Sequence, residues 1–239
     1  MGMLLAFVGL SAADPMADEQ RFAVLRARLI REIDADVRAT SRRFGGKDSA
    51  SAAMEAIGRV PRHEFVPSSE RAYAYENRPL PIGYGQTISQ PYIVAIMTAL
   101  ADAEAGKTAL EIGTGSGYQA AILAACGVDV YSMEIIPELG EEARGRLQRL
   151  GYDRVEVRIG DGYYGWPERA PFDLIVVTAA STQIPPPLIA QLKPGGKMVI
   201  PVGGPFMVQH LMLVEKAEDG HITSRELLAV AFVPLTGGH

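Results

Sequence analysis

The 239 residues suit one large domain, or one domain with an appendage. With 48% hydrophobic and 21% charged residues the chain can bury an ordinary core, which excludes a disordered, collagen-like or disulfide-scaffold protein. Its 23 basic and 28 acidic residues give a net charge of -5, and no stretch gathers the Lys/Arg stripe that a phosphate backbone demands, so nucleic acid is not an expected partner.

An apolar run from Met3 to Leu10 has no Lys or Arg before it and falls well short of the ~20 residues that span a bilayer, so no membrane partner is expected. A signal peptide and a misplaced start upstream of Met16 are both open readings of this run. Residues 1–17 read as an extension, disordered on this reading. Residues 18–239 read as one domain, with a helical accessory part over 18–80 and a core over 81–239. From Asp18, the positions Phe22, Leu25, Leu29, Ile33 and Val37 recur at three- or four-residue steps, which predicts an amphipathic helix to about Arg38. Ala39 to Ser51 is polar, carries Gly45-Gly46 and reads as a loop, and Ala52 to Ile57 offers a short helix before Pro61.

After Gly106 short β-rich runs alternate with helical ones. Thr108–Ile112, Val128–Met133, Val155–Ile159, Phe172–Val177 and Lys197–Val202 are predicted strands, and the alternation argues for βαβ units on a parallel sheet. Helices are predicted at Tyr118–Cys126 and Pro137–Leu150, stopped by Gly127 and Gly151, and at Pro186–Leu192. Gln209–Val214 and Leu227–Val233, separated by Glu218-Asp219-Gly220, predict an antiparallel hairpin closing the sheet edge. Cys126 is the sole cysteine, so the chain can build neither an internal disulfide nor a thiolate metal cluster, and a reducing cytoplasm is the expected compartment.

Three glycines, Gly113, Gly115 and Gly117, stand where the first predicted strand turns into a helix. The spacing is G-x-G-x-G rather than the G-x-G-x-x-G of a dinucleotide loop, and the acid Glu111 precedes it. A carboxylate there repels a pyrophosphate, which opposes a nicotinamide oxidoreductase, but it can hold an ammonium or, through water, a methionine-like tail. Glu134 ends the next strand, 21 positions beyond Gly113, where doubly wound folds place the acid that accepts both ribose hydroxyls. Asp161 and Gly162 follow the third strand and reach the same edge.

This one-acid-per-strand pattern resembles the S-adenosylmethionine site of Rossmann-like methyltransferases. Upstream, Leu80-Pro81-Ile82-Gly83-Tyr84-Gly85-Gln86-Thr87-Ile88-Ser89-Gln90-Pro91-Tyr92 resembles the signature of the protein-L-isoaspartate O-methyltransferases. So do Val60 to Pro67, Ala170 to Asp173, Gln191 to Gly196 and Val233 to Thr236, in unbroken order. The resemblance implies an α/β fold with a doubly wound, mostly parallel sheet, an antiparallel C-terminal edge and an N-terminal helical extension. It also implies repair chemistry, methyl transfer from S-adenosylmethionine to the free α-carboxylate of L-isoaspartyl residues in damaged proteins. A monomer and no metal are expected. Ser89 falls on the family's active-site serine. Gln86, Thr87 and Ile88 fall on the strip covering the cofactor, Glu134 on the ribose acid, Asp161 and Gly162 on the adenine-side pair, and Thr236 on a C-terminal contact. Glu111, Gly113, Gly115 and Gly117 complete the cofactor set. One departure is Asp34 to Ser51, longer than the corresponding family connection.

An anionic nucleophile and a sulfonium donor need alignment and not a general base, so no catalytic histidine is sought. His63, His210, His221 and His239 lack ligand spacing and read as surface or strand-end residues. Asp173 reads as a structural anchor, Tyr163, Tyr164 and Trp166 as core packing, and Cys126 as an inert packing residue. Ser89 doubles as a candidate helix N-cap before Pro91. Two rival functions are a methyltransferase for another carboxylate and an adaptor that binds isoaspartyl chains without turnover.

Overall fold

The computed structural model describes residues 15–44, 49–204 and 207–238. The extension upstream of residue 15, the Gly45-Gly46 pair on which the loop was predicted and His239 lie outside the described residues. Helix α1 spans Pro15–Arg43 and α2 spans Ser49–Arg59. The first helix therefore continues past Arg38, because its inward face does: buried Val37 is followed by Ser41, 1% exposed, and then by half-buried Phe44. Polar side chains carry that last turn, and the Thr40 hydroxyl bonds the Tyr92 hydroxyl at 2.7 Å.

Two 3-10 turns, Arg62–Glu64 and Ser68–Tyr73, lead from α2 to the sheet region. Arg62 is fully buried, donating to the carbonyls of Ala74 at 2.9 Å and Arg78 at 3.4 Å with its guanidinium over the Tyr118 ring. Burial pulls its pKa down to about 10. His63 is not the surface residue the sequence suggested. It is stacked on Phe22 with ring centroids 4.0 Å apart and bonded to the Tyr75 hydroxyl at 2.8 Å, so the ring fills a gap beneath α1.

Strands β1 (Leu80–Gly83) and β2 (Gln86–Ile88) form a separate antiparallel hairpin. Its two-residue turn has Tyr84 and Gly85 both at positive φ, 53° and 71°, the conformation that matches strand twist. Helix α3 (Pro91–Leu100) follows with Pro91 at its first position. Its N-cap is Gln90 and no side chain caps it, so Ser89 is not a cap.

The main sheet is built from β3 (Thr108–Ile112), β4 (Asp129–Glu134), β5 (Val155–Ile159), β6 (Phe172–Val177), β7 (Leu192–Val202), β8 (Gln209–Lys216) and β9 (Ile222–Val230), in the order β5-β4-β3-β6-β7-β8-β9. The first five are parallel, and β8 and β9 run antiparallel. Helices α4 (Tyr118–Ala125), α5 (Pro137–Arg149) and α6 (Pro186–Gln191) connect the parallel strands. Leaving β3, the chain moves first to β4 and β5 and then back to β6, so a crevice opens between the carboxyl ends of β3 and β6. β6 feeds two cores: Leu174 and Val176 join the cluster under α1 to α4, whereas Ile175 and Val177 from the other face, with Phe172 at the irregular start of the strand, join the one containing Leu110 and Trp166. Of the aromatic group after Asp161, Trp166 packs in this core but Tyr164 is exposed.

Four strands are bounded differently from expectation: β4 lies one residue later, at Asp129–Glu134, and β8 extends to Lys216. β7 begins at Leu192, ahead of the Pro194-Gly195-Gly196 irregularity, with a register shift against β6. β9 begins at Ile222 and ends at Val230; Thr223 to Glu226 in its first half are polar and exposed, so apolar character does not mark its start. The chain beyond β9 turns onto the loop after β6, where the Ala180 amide donates to the Val233 carbonyl and the Leu235 amide donates back to Ala180.

Asp173 anchors the first residues of the sheet. One oxygen accepts from the Thr108 amide at 2.8 Å, the Thr108 hydroxyl at 2.9 Å and Lys193 Nζ at 2.8 Å. Burial raises its pKa, but these bonds outweigh burial and hold it below the ordinary carboxylate value. A depressed folded pKa contributes stability above the unfolded pKa that is lost as acid protonates the group. Asp173→Asn is expected to destabilise the fold by about 1–3 kcal/mol at pH 7, and less at pH 3, in denaturant titrations. An equal loss at both pH values would contradict the assignment.

Candidate functional site

The glycine loop is shaped by positive φ and by tight neighbours. Gly113 has φ 93°, and a Cβ there would lie 2.5 Å from Thr178 Oγ1. Gly117 caps the N-terminus of α4 at φ 85°. The loop is tied down by backbone amides: Gly113 and Thr114 donate to the Met133 carbonyl at 2.8 and 3.1 Å, and Gly115 donates to Glu134 Oε2 at 2.7 Å. The other carboxylate oxygen of Glu134 accepts from the Ile136 amide at 3.0 Å. Glu134 is thus held at the end of β4, 5% exposed, beside the loop.

Around this loop lie three hollows that share Thr87 and Thr178 as common walls. The first brings together Gln86, Thr87, Gly113, Gly115, Glu134, Gly162 and Thr236, with apolar walls from Ile112, Met133, Ile135 and Pro234. Its floor is close-packed, because a Cβ on Gly162 would sit 2.3 Å from Ile112 Cγ2. The second, of about 430 Å³, runs between Ser89, Gln90 and Ile93 on one side and Ala229 to Val233 on the other. The third is a small recess lined by Ile88, Ser89, Gly113 to Ser116 and Gln119. Among the described residues Glu134 is the one charged side chain lining the three. An anion placed there meets hydroxyls and amides rather than a neutralising cation.

Three residues of the expected set stand outside the lining. Gly117 serves the helix start. Asp161 has its oxygens engaged by the Tyr163 amide at 3.0 Å and the Gly238 amide at 3.0 Å, so it caps a 3-10 turn (Gly162–Tyr164) and holds the C-terminal tail that carries Thr236. Glu111 is fully buried on the opposite face of β3 from Ile112, bonded by the Ser132 hydroxyl at 2.5 Å, which in turn contacts Thr114 Oγ1 at 2.6 Å. Burial raises the Glu111 pKa to about 8, with Glu134 adding to the rise while Ser132 and the Ala120 backbone oppose it. Thr178 was missed by sequence reasoning. Its signal was available, since it is the first residue after β6 and therefore stands at the same carboxyl edge as the glycine loop. Cys126, with a thiol pKa raised by burial to about 11, and Asp173 are as inert as expected.

The family model for protein-L-isoaspartate(D-aspartate) O-methyltransferase matches residues 40–239. Protein-L-isoaspartate O-methyltransferase 2 of Syntrophobacter fumaroxidans is 62% identical over 99% of this chain and 96% of its own length. Protein-L-isoaspartate O-methyltransferase 1 of Nitrosospira multiformis is 53% identical over 100% of this chain and 96% of its own. A solved protein-L-isoaspartate O-methyltransferase superposes with a TM-score of 0.76 at 29% identity, covering 89% of this chain and 66% of that one. The fold is shared too with a Plasmodium falciparum structure in complex with S-adenosyl-L-homocysteine, at a TM-score of 0.69 and 24% identity over 85% of this chain and 98% of that one.

Glu111 gives a pH signature. Its pKa is near 4.5 when unfolded and about 8 when folded, so folding takes up a proton between those values. Its contribution is most favourable below the unfolded pKa and is lost as pH rises through the folded one. Glu111→Gln is therefore expected to gain stability relative to the parent chain between pH 5 and pH 9 in denaturant titrations. A difference that stays constant with pH would refute the buried, proton-holding carboxyl.

Proposed function

The chain belongs to the protein-L-isoaspartate(D-aspartate) O-methyltransferase family, and we propose that its first hollow holds S-adenosylmethionine while Ser89 aims the substrate carboxylate from the second. Its activity is protein repair, the methylation of the free α-carboxylate of L-isoaspartyl residues in damaged proteins and peptides. The observation that carries the assignment of roles is the shared wall: Thr87 and Thr178 border both hollows, so a ligand on Glu134 and a ligand on Ser89 meet there.

The residues present fit the cofactor. Each Glu134 oxygen uses one acceptor site on a backbone amide and keeps capacity for another donor, which suits two neighbouring hydroxyls of a ribose. The bare face of Gly162 and the apolar Met133 and Ile135 suit a flat aromatic base. When bound, S-adenosylmethionine supplies a methyl carbon activated by a sulfonium. The chain's own task is placement. Ser89 hydrogen-bonds the carboxylate without neutralising it, and the apolar Ile93, Val230 and Phe232 exclude water, which strengthens the attraction between the carboxylate and a cationic donor.

The isoaspartyl link sends the main chain through the side-chain carbon and leaves the carboxylate directly on Cα. We assign selectivity to this shape, because an aspartyl carboxylate of similar basicity sits one methylene away, and a misplacement of about 1 Å costs on the order of 100-fold. On this reading an extended peptide lies in the second hollow, between Thr87, Ser89 and Gln90 on one side and the stretch Ala229 to Val233 on the other. The same reading has the enzyme act as a cytoplasmic monomer with no nucleic-acid or membrane partner. Among the described residues no helix is long and apolar enough to cross a membrane.

Labelled methyl transfer to an isoaspartyl peptide and to its aspartyl twin tests the reading. Only the isoaspartyl peptide is expected to be labelled. Equal labelling would favour a general carboxylate methyltransferase, and binding without labelling an adaptor. Ser89→Ala is expected to lower kcat by about 10-fold or more, the worth of a hydrogen bond to a charged group, with S-adenosylhomocysteine affinity retained in calorimetry. Lost affinity with kcat preserved would make Ser89 a cofactor clamp instead.

A further inference from the structure

The recess beneath Ser89 contains a polar atom that no described residue satisfies. Gln119, at the second position of α4, is 6% exposed and lines that recess together with Thr87, Ser89 and the glycine loop. Its amide is not free to turn over. The Thr98 hydroxyl donates its one proton to the Val94 carbonyl at 2.8 Å, one turn back along α3, so it can offer Gln119 only a lone pair. Gln119 Nε2 takes that lone pair at 2.9 Å. The opposite amide orientation would set two acceptors against each other. Gln119 Oε1 is therefore fixed as the remaining atom, buried and without a hydrogen-bond partner.

Among the described residues no Lys or Arg lines the recess to supply the missing donor. A buried acceptor without a donor is costly in a folded chain, and it marks a place where a ligand brings the donor. One held rigidly beside the glycine loop suits a group with N–H bonds and positive charge.

Resting on the reading of the first hollow as the S-adenosylmethionine site, we propose that Gln119 Oε1 accepts a hydrogen bond from the α-ammonium group at the amino-acid end of the cofactor. The amino-acid end carries a cation and an anion on one carbon. An acceptor held rigidly by Thr98 attracts the ammonium and repels the carboxylate, so it fixes which of the two faces α4. That choice fixes the rotation of the arm leading to sulfur, which makes Gln119 a positioning residue for the transferred methyl group.

The test compares two ligands by calorimetry on the full chain: S-adenosylhomocysteine, and 5′-deoxy-5′-methylthioadenosine, which keeps the adenosine and thioether but lacks the amino-acid end. Gln119→Leu is expected to weaken S-adenosylhomocysteine about tenfold or more and leave methylthioadenosine unchanged. Glu134→Ala, by contrast, is expected to weaken both. If the Leu variant does not fold, the near-isosteric Gln119→Met carries the same comparison. Equal weakening of both ligands, or of neither, would overturn the proposal. Failure of the parent chain to bind either ligand would overturn the reading of the hollow on which it rests.

Discussion

The amide of Gly115 donates to the carboxylate of Glu134, and the geometry of the whole cleft follows from that bond. One end belongs to a loop whose glycines adopt backbone conformations that other residues resist. The other belongs to the last residue of the neighbouring strand. A charge-assisted bond of this kind, reinforced by the Ile136 amide on the second oxygen, locks loop and strand end into one unit. With that unit fixed, Thr178 closes against Gly113 from β6, and the chain beyond β9 folds over the same loop to deliver Thr236.

The electrostatics of the cleft suit a reaction in which two opposite charges vanish together. On the proposed reading, a cationic donor stands near Glu134 while an anionic acceptor stands at Ser89, and no lysine or arginine among the described residues lining the hollows competes for either. A cation beside the substrate carboxylate would hold it by a salt bridge and blunt its nucleophilicity. Hydroxyls and backbone amides hold it and leave its charge available for attack. Glu111 is kept out of the chemistry by burial on the opposite face of β3 from Ile112, where it lines none of the hollows.

Those parts of the fold that obey a single rule were legible in the sequence. β3, β5 and β6 lie between turn residues and their bounds match, because buried apolar runs mark β3 and β6 and the alternation of Val155, Val157 and Ile159 marks the edge strand β5. α1 past Arg38 was not legible, since Thr40 and Ser41 are polar residues doing a core residue's task, one of them through a bond to Tyr92 that lies far away in sequence. The start of β9 was misplaced because Thr223 to Glu226 are polar and exposed, and the pairing of that stretch with β8 is set by backbone. In the site, Gly113, Gly115, Glu134 and Gly162 meet as their strand-end positions suggest, and Thr236, which only the family resemblance pointed to, joins them from the chain beyond β9. Asp161 and Glu111 stand apart, because strand-end placement does not tell which side a carboxylate faces or which backbone amides claim it. His63 shows the same limit, since its burial depends on Phe22 and Tyr75 arriving from other elements.

The most direct measurement is a crystal structure of the chain grown with S-adenosylhomocysteine. The account requires ligand density in the first hollow, with both ribose hydroxyls on the Glu134 carboxylate and the sulfur directed past Thr87 toward Ser89. Density elsewhere, or a ribose turned away from Glu134 while the Gly115 bond persists, would contradict it.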